Sequence, residues 1–232
     1  MRNASEATRA ALRVIYWTLV FILALMLAGA LAKLLGPLIV RVAGGLMVLW
    51  LVFALFTIYF FRDPEPAIPS TPQAIVSPAS GKVDLVDEVE EPEFMGGRCR
   101  RISVFMSVFD VHVQRSPVAG RLVFSKRTPG SYMNAMRADS AAHNENLLLG
   151  FESFEQPGEK VGIRLIAGLV ARRIAVWVQP FGKVARGERI SLIHFGSRVD
   201  LYLPMNVQVQ AKVGDHVTAG ATVVAERSSV RV

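Results

Sequence analysis

Only one cysteine, Cys99, occurs in the 232 residues, so no intrachain disulfide can form. That fits a reducing compartment. Arg98 and Arg100 flank the thiol, a setting that lowers a thiol pKa; Cys99 is nevertheless read as a passive residue. Metal-ligand spacing is missing as well. The four histidines, His112, His143, His194 and His216, form no HExxH-type pattern, so no metal is expected. No G-x-S-x-G elbow surrounds Ser197, and no glycine-rich phosphate loop occurs anywhere. Acidic charge is in short supply: 19 Asp and Glu against 26 Lys and Arg leave a formal net charge of +7. Such a balance suits an anionic lipid surface or nucleic acid. The basic residues Lys126, Arg127, Arg137, Arg172 and Arg173 are scattered, with no run resembling a nucleic-acid arm. Nucleic acid is therefore not an expected partner.

Charge is absent altogether from two stretches, Val14–Ala32 and Val42–Phe61. Each is about the ~20 residues a helix needs to cross a bilayer. The second ends in aromatics that suit a membrane interface. Helices satisfy their own backbone in lipid, so the natural reading is a hairpin of two spanning helices, about 14–35 and 38–61. Two rivals stand beside it. The first stretch ends in Ala30-Leu31-Ala32, which fits a signal-peptide cleavage site. Either stretch also fits a buried soluble helix, although apolar runs of about 18 or more argue for membrane. With two spans, both chain ends lie on one side. Arg2, Arg9, Arg13 and Arg62 outnumber Lys33 and Arg41 in the connection, which puts the catalytic part on the cytoplasmic side of the cell membrane. The Asn3-Ala4-Ser5 sequon would then never meet a glycosylating enzyme.

The division that follows is a membrane anchor over 1–62, a Pro-rich linker over 63–74 and a catalytic β domain over 75–232. "GKVDLVDEV", "RISVFMSVF" and "RIAVWVQPFG" read as strands. "NVQVQAKVG" alternates strictly, with Val207, Val209, Ala211 and Val213 on one face. Short strands with Gly and Pro turns predict a mainly β sandwich or barrel-like domain. Only "SYMNAMRADSAAHNENLLL" reads as helical or irregular. "GKVARGERISLI" and "AKVGDHVTAGATVV" echo each other, and the second is similar to the hammerhead segment of biotinyl and lipoyl carrier domains. No exposed Met-Lys-Met-type turn accompanies it, so carrier function is not implied.

One dipeptide carries distinct chemistry. Gly196-Ser197 interrupts the strand signal of "LIHFGSRVDLYLP". A serine hydroxyl can attack the carbonyl before it, giving an ester by N-to-O acyl shift. Glycine there lacks the Cβ that would block a strained turn. β-Elimination then frees a carboxyl at residue 196 and leaves dehydroalanine at 197. Tautomerisation and hydrolysis yield a pyruvoyl group. The bland reading of a Gly-Ser pair is a bulge or tight turn.

The surroundings decide between them. "FGSRVDLYLP" resembles the processing site of phosphatidylserine decarboxylases in their short bacterial and archaeal form. "IVSPASGKV", "FMSVFDVHVQRSPVAGRL", "NENLLLG" and "IRLIAGLVARRI" resemble the family's other blocks, in the family's order. The resemblance implies a proenzyme cut between Gly196 and Ser197 into a large and a small chain that stay associated. Ser197 would become the pyruvoyl cofactor, with no metal. Its ketone would form a Schiff base with the serine headgroup and act as electron sink for the loss of CO2, giving phosphatidylethanolamine.

His112 matches the family's histidine and is the candidate for proton transfer. Arg115 is the candidate for holding the substrate's carboxylate or phosphate. Many members carry aspartate where this chain has Ser80. Either Asp84, Asp110 or Asp200 substitutes, or this branch processes differently; Asp110, two residues from His112, would share a strand face with it. His194 reads as a flanking residue. An archaetidylserine-type decarboxylase and a non-enzymatic, membrane-tethered carrier-like β module remain as alternatives. Oligomeric state, including a homo-oligomer, is left open.

Overall fold

A computed structural model describes residues 3–131, 143–168, 174–193 and 197–227. Gly196, His194, Arg137, Arg172, Arg173 and the middle of "SYMNAMRADSAAHNENLLL" lie outside the described residues. The chain divides into two compact units, Met1–Thr57 and Ile58–Val232.

The first unit is helix. α1 runs Asn3–Phe60 without interruption, and from Tyr16 to Phe60 it is long and apolar enough to cross a membrane. It is one helix where the sequence predicts two, 14–35 and 38–61. Pro37 lies inside it. Proline removes one backbone donor and costs a helix about 3 kcal/mol. Leu34, Leu35, Leu38 and Ile39 around it favour helix strongly enough that the chain continues through.

Among its described residues the second unit is mainly β, with strands β1 (Ala74–Val76), β2 (Gly81–Glu91), β3 (Gly97–Met106), β4 (Val113–Arg115), β5 (Gly120–Thr128), β6 (Asn146–Ser153) and β7 (Lys160–Ala167). They are followed by β8 (Ile174–Val176), β9 (Lys183–Val184), β10 (Arg189–Ile193), β11 (Ser197–Leu203), β12 (Val207–Val209), β13 (His216–Val217) and β14 (Val223–Arg227). An eight-stranded antiparallel sheet has the order β13-β2-β3-β11-β7-β6-β5-β9, and two three-stranded sheets run β1-β14-β12 and β4-β10-β8. Alternation sets the core. Val199, Leu201 and Leu203 of β11 share a face with Ile102, Val104 and Met106 of β3, and join Ile75, Ile190 and Val224 of the smaller sheets in one hydrophobic cluster. The opposite face carries a smaller cluster of Phe94, Cys99, Leu148 and Tyr202.

Two sequence expectations change in detail. The 207–213 strand ends at Val209, because the N–H groups of Gln210 and Ala211 both donate to the Val224 carbonyl, at 2.9 and 3.1 Å. That doubling is a bulge. A turn closed by Asp215 on the Lys212 N–H follows, and Val213 is left exposed. Cys99, flanked by arginines in sequence, has its pKa pushed up to about 11, first by burial and then by Glu91, with Arg101 opposing. Burial outweighs the flanking charge, so the thiol is inert.

Candidate active site

Ser197 opens β11, the strand between β3 and β7, and is fully buried. Its cross-strand partners are Met106 on β3 and Ala167 on β7. One strand further along, Gly81 meets the same row. A Cβ on Gly81 would lie 2.2 Å from the Phe105 carbonyl oxygen, and its φ is +152°, so only glycine fits. The row Gly81, Met106, Ser197, Ala167 therefore gathers the blocks "SPASGKV", "FMSVFDVH", "IRLIAG" and "GSRVDLY" at one end of the sheet. The block "NENLLLG" joins it through Asn144, whose side-chain amide donates to the Ala167 carbonyl at 2.8 Å.

The Ser197 hydroxyl donates to the Met106 thioether, Oγ to Sδ 3.4 Å. Gln114, fully buried on β4, donates to the same sulfur at 3.6 Å and to the His112 carbonyl at 2.7 Å. Its own side-chain oxygen accepts from the Ser191 hydroxyl at 2.8 Å. A buried amide with every one of these contacts made fixes its neighbours rather than itself.

His112 is buried at the entrance to β4, and its carbonyl accepts the Ile193 N–H at 3.3 Å. Ile193 is the last residue of β10, so this bond ties His112 to the end of that strand. Nδ1 of His112 lies 2.9 Å from the Asp110 carbonyl oxygen. A carbonyl only accepts, so Nδ1 bears a hydrogen. The Phe60 ring packs on the imidazole with centroids 4.3 Å apart.

The acids expected to assist have other partners. Asp110 lies in a turn, not on a strand, and its carboxylate accepts from the N–H and hydroxyl of Ser107 at 2.8 and 2.7 Å. Only its backbone reaches His112. Asp84 is ion-paired with Arg198. Arg198, Asp200 and Tyr202 alternate with Val199 and Leu201 and so face away from the side of the sheet that Ser197 faces. Asp200 is fully buried between Ser103 and Arg164, its direct cross-strand neighbours, and neither carboxylate oxygen has a hydrogen-bond partner. Burial pushes its pKa up, while Ser103, Arg101, Arg198 and Arg164 pull it the other way. The Ser103 hydroxyl eases the shift without closing a standard hydrogen bond. Burial likewise lowers Arg198 and raises Tyr202.

Arg115 is committed elsewhere as well. Its guanidinium donates to Asp63 at 2.7 Å, to the Gly187 carbonyl at 3.0 Å, and to Pro64 and Glu65 at 3.3 Å. These contacts pin the segment after α1 to β4, and they meet the substrate-holding role expected of Arg115 with a side chain already engaged. Ser80 is buried next to Gly81, and its hydroxyl accepts the Ala219 N–H at 3.0 Å. Met106, Gln114 and Asn144 escaped the sequence reading, since a buried Met, Gln or Asn carries no local signature. Among the described residues, no cluster of three His, Cys, Asp or Glu side chains is arranged to hold a metal ion.

Comparison with known proteins covers the same part of the chain. The family profile for phosphatidylserine decarboxylase matches residues 53–225. The phosphatidylserine decarboxylase proenzyme of Desulfotalea psychrophila is 42% identical over 178 residues, covering 77% of this chain and 82% of the relative. That of Symbiobacterium thermophilum is 44% identical over 171 residues, covering 74% and 79%. That of Nitrosomonas europaea is 41% identical over 202 residues, covering 86% and 91%.

Proposed function

The chain belongs to the phosphatidylserine decarboxylase family, and from that premise we propose that it decarboxylates phosphatidylserine to phosphatidylethanolamine at Ser197, after cutting itself between Gly196 and Ser197. It is a carboxy-lyase made as a proenzyme. The observation that carries the assignment to Ser197 is the row Gly81, Met106, Ser197, Ala167, where the motif blocks meet on one buried hydroxyl. The relatives' shared name favours neither an archaetidylserine substrate nor a non-enzymatic carrier-like module.

Self-processing needs no second protein. The Ser197 hydroxyl adds to the Gly196 carbonyl carbon and the peptide C–N bond breaks, leaving an ester and a free amine on residue 197. Loss of the Ser197 Cα proton expels the Gly196 carboxylate; water then removes the nitrogen as ammonia. His112 is the residue we assign to proton transfer, its ring oriented by the Asp110 carbonyl on Nδ1. Gln114 and Met106 hold the two partners in register.

Ser197 fits a pyruvoyl precursor. It is shut off from water, and β3 and β7 grip its strand on both sides. Once formed, the pyruvoyl group supplies the electron sink that decarboxylation requires. Arg115 fits an anchor for the 63–65 segment better than a substrate ligand, given its four occupied contacts.

The apolar helix suggests membrane association. We read its 45 apolar residues from Tyr16 to Phe60, about twice the ~20 needed for one crossing, as serving two crossings in a bilayer, where the helix that is continuous here would have to open at Gly36-Pro37. The catalytic unit then lies on the cytoplasmic side with the N-terminus. Intact mass under denaturing conditions tests the central reading. The wild type should give two chains, the smaller lighter by one ammonia than its unmodified sequence. Ser197→Ala should stay whole; two normal chains from that variant would sink the assignment.

A further inference from the structure

The turn Ser107–Asp110 connects two residues of the proposed site, Met106 before it and His112 after it. Its tip is apolar and open to solvent: Phe109 is 64% exposed and Val108 38%. A single exposed phenylalanine needs no explanation. This one sits in a specific set of contacts. Arg62 donates to the Phe109 carbonyl at 2.6 Å, and the Tyr59 hydroxyl donates to the same oxygen at 3.3 Å. Arg62 also donates to the Tyr59 carbonyl at 2.8 Å, and its guanidinium lies 3.8 Å from the centre of the Tyr59 ring. Phe60, between them in sequence, packs on His112.

These residues close the apolar run of α1. Aromatic rings beside a basic residue at the end of such a run are the composition of a membrane–water interface. Tyr59 and Phe61 are themselves exposed, so an apolar patch of Tyr59, Phe61, Val108 and Phe109 surrounds one arginine. Its continuity with the membrane-length helix identifies the occupant as lipid. Arg62 offers the charge that a lipid phosphate accepts. The turn is also built in advance. Asp110 closes it on the Ser107 N–H and hydroxyl, so little ordering remains to be done on insertion.

We propose that Val108 and Phe109 form an interfacial finger that inserts beside the end of α1 into the leaflet facing the catalytic unit. The finger sets the loop carrying His112 at headgroup depth. The lipid then presents its serine carboxylate to the site without leaving the bilayer. This rests on the reading of the chain as a membrane-associated phosphatidylserine decarboxylase.

The lone native cysteine makes the test direct. Cys99 is buried and its thiol is pushed up to about 11, so it does not compete for label. Phe109→Cys in the full chain takes an environment-sensitive fluorophore and is reconstituted into phosphatidylcholine–phosphatidylserine vesicles. Phe154→Cys is the control, since Phe154 is 52% exposed just beyond Ser153, at the end of the sheet opposite Ser197. Blue-shifted emission and quenching by lipid-borne quenchers at position 109, and not at 154, is the expected result. Equal, water-like emission at both overturns the proposal. So does emission at 109 that shifts with protein concentration at fixed lipid, which would mark a second copy.

The double variant Val108→Ser/Phe109→Ser adds a functional readout. It should process normally, act normally on detergent-dispersed phosphatidylserine, and show about tenfold higher KM on vesicles, as expected for losing about 1.4 kcal/mol of apolar burial. An unchanged vesicle KM overturns the finger. Wild-type processing and decarboxylation, measured in the same preparations, report separately on the parent reading.

Discussion

The Met106 thioether takes the hydrogen bond of the Ser197 hydroxyl, 3.4 Å from Sδ to Oγ. Sulfur is a weak acceptor. It aims the hydroxyl without drawing the proton away, so proton removal falls to another group. Gln114 holds that sulfur and the His112 backbone together, so in the proposed mechanism it would position the nucleophile and the proton-transfer group at once.

Gln114→Leu should therefore slow self-processing by about tenfold, the equivalent of roughly one hydrogen bond at 1.4 kcal/mol. Gln114→Glu should recover part of the rate, since it keeps the acceptor for Ser191. Met106→Leu conserves volume and should cost under about 1.5 kcal/mol of stability, yet slow processing several-fold. Gel-based time courses of chain cleavage after synthesis, beside thermal melts, separate the two effects. Loss of stability without slower cleavage would reduce Gln114 to a packing residue.

Asp200 gives a pH signature. Its pKa is raised by burial, so the folded state keeps a proton that the unfolded chain releases at lower pH. Its stabilising effect is fully present below the ordinary carboxylate range and is lost as pH rises through the folded value. Asp200→Asn in the uncleaved Ser197→Ala background should gain on its parent by about 1.4 kcal/mol per pH unit across that window. Urea unfolding at a series of pH values reads this, and a pH-independent difference would contradict it.

Arg115→Ala tests the anchor. The Arg115 side chain is almost fully buried against Asp63, so its removal should cost about 3 kcal/mol, softened where Arg189 still pairs with Asp63 and Glu65. A stability loss with unchanged KM on the mature enzyme fits the anchor. A raised KM with unchanged stability would restore the substrate-binding role.

Much of the fold is legible in the chain: the strands around "GKVDLVDEV", "RISVFM" and "SRVDLYL" are local signals, and the apolar run of α1 is hard to miss. Other features depend on contacts distant in sequence. That Gly81, Met106 and Ala167 meet on Ser197 follows from strand register, which no single stretch encodes. Asp110 looks like a strand neighbour of His112 until the Ser107 hydroxyl draws it into a turn. Val213 fits an alternating pattern that the bulge at Gln210 and Ala211 ends early.

β11 has one further consequence. It is an interior strand, bonded along Ser197–Leu203 to residues that would all belong to the other product of cleavage. Arg198 pairs with Asp84, and Arg227 with Glu155 and Glu159, across the same divide. On the proposed cut, the mature protein would be two chains that were never apart. They would arise by scission inside a finished sheet, not by encounter in solution, with the sheet complete before the cut is made. Two fragments synthesised separately would have to thread a strand between neighbours already free to close on each other.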